Sequence, residues 1–209
     1  MQGKQILRNR VKAHLLDQIQ KGELKVGKTI NLALLSRKME ISVTPIREAL
    51  SQLEQVRIID SVPNRGFIVA KLNRNEAKNL YATIAQLEIM ALENSFFSSL
   101  DIESLQSQQL QLKQTETLKN RLTARFEFHQ LLVKKCANPI LLQILDDLKA
   151  RLLFYEYGFG QDVFFYDKVD DQNEAIIHAI AGDNIPTAAL ILKMNWMVVS
   201  EYMETQIDP

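Results

Sequence analysis

Thirty-five residues, Leu32 to Gly66 (LALLSRKMEISVTPIREALSQLEQVRIIDSVPNRG), constrain the fold more than any other stretch of this chain. Thr44 is placed to accept a backbone N–H as a helix N-cap, and Pro45 at the first helical position loses nothing by lacking one. Ile46, Ala49, Leu50 and Leu53 follow at i, i+3, i+4 and i+7, one apolar stripe that leaves Arg47, Glu48, Ser51 and Glu54 on other faces. A shorter helix and a turn precede this segment. Ile58–Val62 and Phe67–Lys71 read as two strands flanking Pro63-Asn64-Arg65-Gly66, a turn with Asn and Gly where positive φ is needed. Helix, turn, capped helix and two-strand wing make the layout of a winged helix-turn-helix. In that layout the start of the second helix reaches base edges, and arginine is the side chain best matched to guanine O6 and N7, which singles out Arg47. A tight wing tip at Asn64-Arg65-Gly66 can approach a sugar-phosphate backbone. The same pattern also fits a small α/β subdomain with no nucleic-acid partner.

Charge favours the first reading. Residues 1–73 hold 13 Lys and Arg against 6 Asp and Glu, a net of +7, and residues 74–209 hold 12 against 19, a net of −7. A formal total of zero therefore hides two halves of opposite sign. Positive charge confined to the winged-helix half is the footprint of a protein that neutralises phosphates, and an acidic second half would keep clear of the polyanion.

A chain of 209 residues with 46% hydrophobic content has enough material for two modest cores, expected over 1–73 and 74–209. No apolar run reaches the ~18 residues of a membrane span and the N-terminus has no signal-peptide core, so a cytoplasmic protein without a membrane partner is expected. The single Cys136 forms no internal disulfide, which suits a reducing compartment, and reads as a small buried residue. Ile6, Val11, Leu15, Leu16 and Ile19 recur at helical spacing and would complete a three-helix core, with Gly22 and Gly27 bracketing the exit. Leu72-Asn73-Arg74-Asn75 is a short polar junction.

Beyond Asn75, strand signals are scarce and apolar residues recur at helical intervals. Six helices are expected. The first carries Leu80, Ile84, Leu87 and Ala91; the others cover Asp101–Lys119, Thr123–Ala137, Ile140–Tyr157, about Val169–Ala181, and Ile185–Gln206. The fold class is thus mostly α: a winged helix-turn-helix domain followed by an antiparallel all-α bundle, with room between helices for a small ligand.

The string Ile41-Ser42-Val43-Thr44-Pro45-Ile46-Arg47-Glu48-Ala49-Leu50, with Leu53-Glu54 and Pro63-Asn64-Arg65-Gly66, closely resembles the GntR family of bacterial transcriptional regulators. Phe128-His129, Ala137-Asn138-Pro139, Ala179-Ile180 and Gly182-Asp183 resemble the FCD ligand-binding domain of its FadR-type branch. The resemblance implies a homodimer on a short palindromic double-stranded operator, with binding altered by a small metabolite, often a carboxylic acid, in the helical domain. It implies DNA contacts from Ser42, Thr44, Arg47 and Arg65-Gly66; with Pro45 and Asn64 these form the candidate DNA-facing set. Three residues depart from the family's pattern: Val43 stands where many members have arginine, Glu40 where a turn glycine is usual, and Arg57 where glycine commonly ends the recognition helix.

A larger departure lies in the bundle. Many FCD domains hold a divalent metal with one aspartate and three histidines, positions that map here to Arg125, His129, Asn173 and, at or near it, Asn195. One imidazole and two amides beside a guanidinium make a poor cation site, so no metal and no other cofactor is expected. His178, five residues past Asn173, is on another face and reads as a core or surface histidine. A guanidinium supplies the charge that a metal would otherwise offer an acidic effector, so Arg125, His129, Asn173 and Asn195 form the candidate effector site for an organic acid. The alternatives are that Arg125 points out of the bundle or pairs internally with an acid such as Glu174, or that an atypical metal site persists. Tyr155, Tyr157 and Trp196 read as core or dimer-interface aromatics.

Enzymatic chemistry has no support. Glu127-x-His129 and Glu174-x-x-x-His178 miss the Glu-x-x-His spacing of di-iron bundles, and no nucleophile elbow, Walker loop, dinucleotide fingerprint or zinc-protease motif occurs. A DNA-binding architectural protein whose helical half only dimerises is the remaining alternative.

Overall fold

A computed structural model describes residues 2–21, 23–71, 73–159 and 162–207. The chain divides into two compact units: residues 1–73 with 153–158, and residues 74–152 with 159–209. Gly22 and Leu72, named in the sequence reading of the turns and junction, lie outside the described residues.

In the first unit, α1 (Gln2–Gln20), α2 (Leu32–Met39) and α3 (Val43–Gln55) are followed by antiparallel β1 (Ile59–Val62) and β2 (Gly66–Val69). Val11, Leu15 and Ile19 of α1, Leu35 and Met39 of α2, and Ile46, Ala49, Leu50 and Leu53 of α3 are all buried. The expected stripe on α3 is therefore the inner face of a three-helix core. On α1 the stripe is shorter than expected, because Ile6 is exposed and Leu16 half-buried.

Helix α3 starts earlier than the Thr44-Pro45 signal predicts. Val43 is its first residue and Ser42 its N-cap, which puts Pro45 third. No N–H in the first turn has an intrahelical acceptor, so proline costs as little at the third position as at the first. Asn31 caps α2 by accepting the Leu34 N–H at 2.9 Å.

The wing is also built slightly differently from its sequence pattern. Val62 pairs with Gly66 across a three-residue loop whose Asn64 has φ 62°, and Gly66 follows at φ 75°. A third extended segment lies along β2: the N–H groups of Gly27 and Ile30 donate to the carbonyls of Val69 and Phe67 at 2.8 Å, and the Val69 N–H donates back to Lys28 at 3.0 Å. With no alternation of its own, that segment reads as loop in the sequence.

The second unit comprises α4 (Arg74–Glu93), α5 (Ser99–Lys113), α6 (Leu118–Val133), most of α7 (Pro139–Phe159), α8 (Val163–Asp170), α9 (Gln172–Ala181) and α10 (Ile185–Gln206). The described residues thus form seven helices here where six were expected. The additional one is α8, started by Asp162, whose Oδ1 accepts the N–H groups of Phe164 and Phe165 at 2.9 and 3.2 Å. The helix expected over Val169–Ala181 is accordingly two helices meeting at Asp171. Boundaries elsewhere follow the caps: Ser98 and Asp101 close a capping box at α5, and Thr117 caps α6. Leu80, Ile84 and Ala91 of α4 are buried as expected, with Leu87 half-buried.

Glu40 ends α2 at φ 57° and Arg57 follows α3 at φ 55°, both exposed side chains in left-handed backbone. These are the two positions where the family resemblance led us to expect glycine. A Cβ there costs on the order of 1 kcal/mol, so Glu40→Gly and Arg57→Gly should each raise unfolding stability by about that amount in chemical denaturation.

Candidate functional site

In the first unit the start of α3 and the wing tip each present exposed polar residues. Ser42, Thr44 and Arg47 are exposed and Pro45 half-buried, while the neighbouring Ile46, Ala49 and Leu50 are fully buried and fix the helix's rotation. Arg47 is the fifth residue of α3, just beyond its first turn, and points away from the core. Asn64, Arg65 and Gly66 are all exposed at the end of the β1–β2 hairpin, where left-handed backbone at Asn64 and Gly66 makes the turn tight. These two segments offer cationic and hydroxyl side chains and closely approachable backbone, the chemistry that meets phosphates and base edges.

The second unit has a buried polar centre built from α6 outward. Arg121, Arg125 and His129 recur every fourth residue and share one face of that helix, each at most 4% exposed. Arg125 donates from Nη1 to Oδ1 of Asp170 at 2.8 Å and from Nη2 to Oδ1 of Asn195 at 2.7 Å. Its guanidinium also lies 5.5 Å from the Trp196 ring and 5.9 Å from that of Tyr166. Arg121 pairs with Asp167, and its Nε is 3.7 Å from Oδ2 of Asp170. Trp196 Nε1 donates to Oε2 of Glu88 at 2.7 Å, and His129 Nδ1 meets the same oxygen at 2.7 Å.

Amide side chains close the remaining gaps. Asn195 donates to the Val169 carbonyl at 2.9 Å, Gln109 to the Asp170 carbonyl at 2.8 Å, and Asn173 to Gln109 Oε1 at 3.0 Å. His129 Nε2, Asp170 Oδ2 and Asn173 Oδ1 are buried without a hydrogen-bond partner. Burial pushes the Asp170 carboxyl above its usual range, against the opposing pull of Arg125.

All four residues expected at the effector site are thus in the interior of this unit, and Arg125 and Asn195 touch directly. The acid that meets Arg125 is Asp170, not Glu174, which lies on the surface against Lys113. His178 is exposed on α9, Cys136 is buried, and Tyr155 is a core residue of the first unit that bonds to Asn73. Sequence reasoning missed Glu88, Gln109, Arg121, Asp167 and Asp170. Glu88 had a signal, a charge at i+4 on the buried stripe of Leu80 and Ile84, and Arg121 another, one turn before Arg125. Asp170 had none, because its placement depends on a helix that the sequence pattern does not show.

The donor set does not fit the divalent metal that the resemblance implies. A cation at the four family positions would face the fixed positive charge of Arg125, and among the described residues no three His, Cys, Asp or Glu side chains converge on a metal-sized site. Among the described residues, no helix is long and apolar enough to cross a membrane.

Two family models match this chain. Residues 7–69 match the family described as "Bacterial regulatory proteins, gntR family", and residues 79–194 match the FCD domain. In sequence the chain is 29% identical over 140 residues to the Bacillus subtilis HTH-type transcriptional regulator YdhC, covering 64% of this chain and 62% of the relative. It is 28% identical over 152 residues to the Escherichia coli HTH-type transcriptional repressor GlaR, covering 67% and 69%. These matches span about two thirds of each relative's length. The solved structure of E. coli McbR/YncC superposes with a TM-score of 0.80 over 97% of this chain and 99% of that one at 21% identity, a likeness of fold. With a GntR match over the winged-helix residues and an FCD match over more than half the chain, this protein belongs to the GntR family of bacterial transcriptional regulators and carries an FCD domain.

Proposed function

We propose that residues 1–73 bind operator DNA through α3 and the wing, that residues 74–209 dimerise and bind a small organic acid, and that the acid alters operator affinity. A DNA partner would place the protein in the cytoplasm. The observation that carries the DNA half is the exposed Arg47 at the start of a helix whose rotation is fixed by a fully buried opposite stripe. The net of +7 on the same residues supports it. A single winged helix reads a short half-site, so useful specificity needs two copies related by a two-fold axis on a palindromic operator. Leu190, Met194 and Met197, spaced along one face of α10 and each more than half exposed, support self-association through the helical unit.

The effector half rests on buried guanidinium charge at the family's ligand position. The pairing of Arg125 with Asp170 favours a second reading, in which the helical unit only dimerises. Thermal unfolding against a metabolite panel separates the two: a sensor is stabilised by at least one compound, an architectural protein by none.

Arg47→Ala should lose about 1 to 3 kcal/mol of operator binding and relax base preference, whereas Arg65→Ala should weaken binding to all sequences alike. Footprinting and titration against operator and scrambled duplexes read both, and an unchanged Arg47→Ala overturns the recognition-helix assignment. Sedimentation equilibrium at micromolar concentration should give twice the chain mass. A strict monomer that still binds a half-site specifically contradicts the dimer.

A further inference from the structure

The two buried arginines of α6 and the two aspartates of α8 form a matched set. Arg121 and Arg125 are one turn apart on α6, about 6 Å along its axis. Asp167 and Asp170 are three residues apart on α8 and therefore on one face. Arg121 pairs with Asp167, and Asp170 pairs with Arg125 and reaches Arg121 as well, so one short helix lays a pair of carboxylates against a pair of guanidiniums. We propose that this acidic face of α8 is a built-in occupant of the effector site, and that the effector is a linear dicarboxylate that displaces Asp167 and Asp170 from the two arginines. This rests on the reading of the helical unit as effector-binding.

The occupant is held in a way that permits exchange. Asp170 hydrogen-bonds Arg125 through Oδ1, whereas its Oδ2 makes no hydrogen bond and meets Arg121 Nε only as an ion pair at 3.7 Å. Burial of that carboxyl already works against its charged form. Asp167 has 46% of its side chain exposed, so solvent reaches the outer guanidinium first. A helix of eight residues has little stability of its own, and its position depends on neighbours. Those neighbours hold the helix by other means: Asn195 and Gln109 bind the carbonyls of Val169 and Asp170, and Phe165 stacks on Tyr202 at 3.9 Å. The carboxylates can therefore leave while α8 stays tethered.

Charge makes the exchange selective. A guanidinium in the interior cannot be left uncompensated, so the aspartates leave only when another anion arrives, which ties their release to ligand binding. Each guanidinium offers a planar fork that suits a carboxylate. An acid with carboxyl groups roughly 5 to 6 Å apart, the reach of a chain of about five or six carbons, satisfies both across one helical turn. A monocarboxylate can meet only one of them, too little to displace either aspartate from its guanidinium.

The test is calorimetric titration and thermal unfolding of the full chain with acetate, glutarate and adipate. Glutarate or adipate should bind and raise the melting temperature, and acetate should do neither. Asp167→Asn and Asp170→Asn remove the charge of the competitor while keeping its shape, and each should tighten dicarboxylate binding at least tenfold. Asp167→Asn, at a half-exposed position, keeps the test open if Asp170→Asn does not fold. Equal or weaker dicarboxylate binding by Asp167→Asn overturns the proposal and leaves the effector reading standing. Absence of binding by either dicarboxylate to parent and variant also overturns it, and sugar phosphates and amino acids run in parallel then decide the effector reading by themselves.

Discussion

A guanidinium at the centre of a helical bundle must be neutralised where it lies, and Arg125 sets the arrangement of everything around it. Asp170 supplies the counter-charge, Asn195 a second acceptor, and Trp196 and Tyr166 the faces of their rings. Each of these partners comes from α8 or α10, so satisfying one side chain of α6 draws those helices to a common point. Glu88 plays the corresponding part for His129 and Trp196 from α4. Removing one member of such a set leaves a buried charge or donor without its partner, a far larger cost than the set's net contribution to stability.

The winged-helix unit depends on a different kind of constraint. Its α3 is held by four buried apolar side chains, and the turns on either side of it are made by residues in left-handed backbone. Glu40 and Arg57 accept that conformation at a cost, while Asn64 and Gly66 adopt it cheaply at the wing tip. The strain lies in the frame that presents Arg47, at the two ends of the segment that carries it.

Much of this was legible in the sequence because it is local. The stripe Ile46-Ala49-Leu50-Leu53 and the Asn64 and Gly66 turn each depend on residues close together in the chain. The pairing of Gly27–Ile30 with β2 was not legible, since it is written in backbone hydrogen bonds between residues about forty positions apart. The acid opposite Arg125 was not legible for a similar reason. Glu174 stood at a plausible distance in sequence, but it is exposed against Lys113, and the buried acid is Asp170, four residues before it. Of the residues expected at the effector site, Arg125 and Asn195 bind each other and α8, His129 binds Glu88 of α4, and Asn173 binds Gln109 of α5.

The central claim is that arginine, not a metal, supplies the positive charge at the heart of this FCD domain. Elemental analysis of the purified protein by plasma mass spectrometry tests it directly, after expression in medium supplemented with zinc, nickel and manganese. The account predicts well under one tenth of an equivalent of any transition metal per chain. One equivalent of a single metal, retained through desalting and lost when His129 is replaced by alanine, would contradict it.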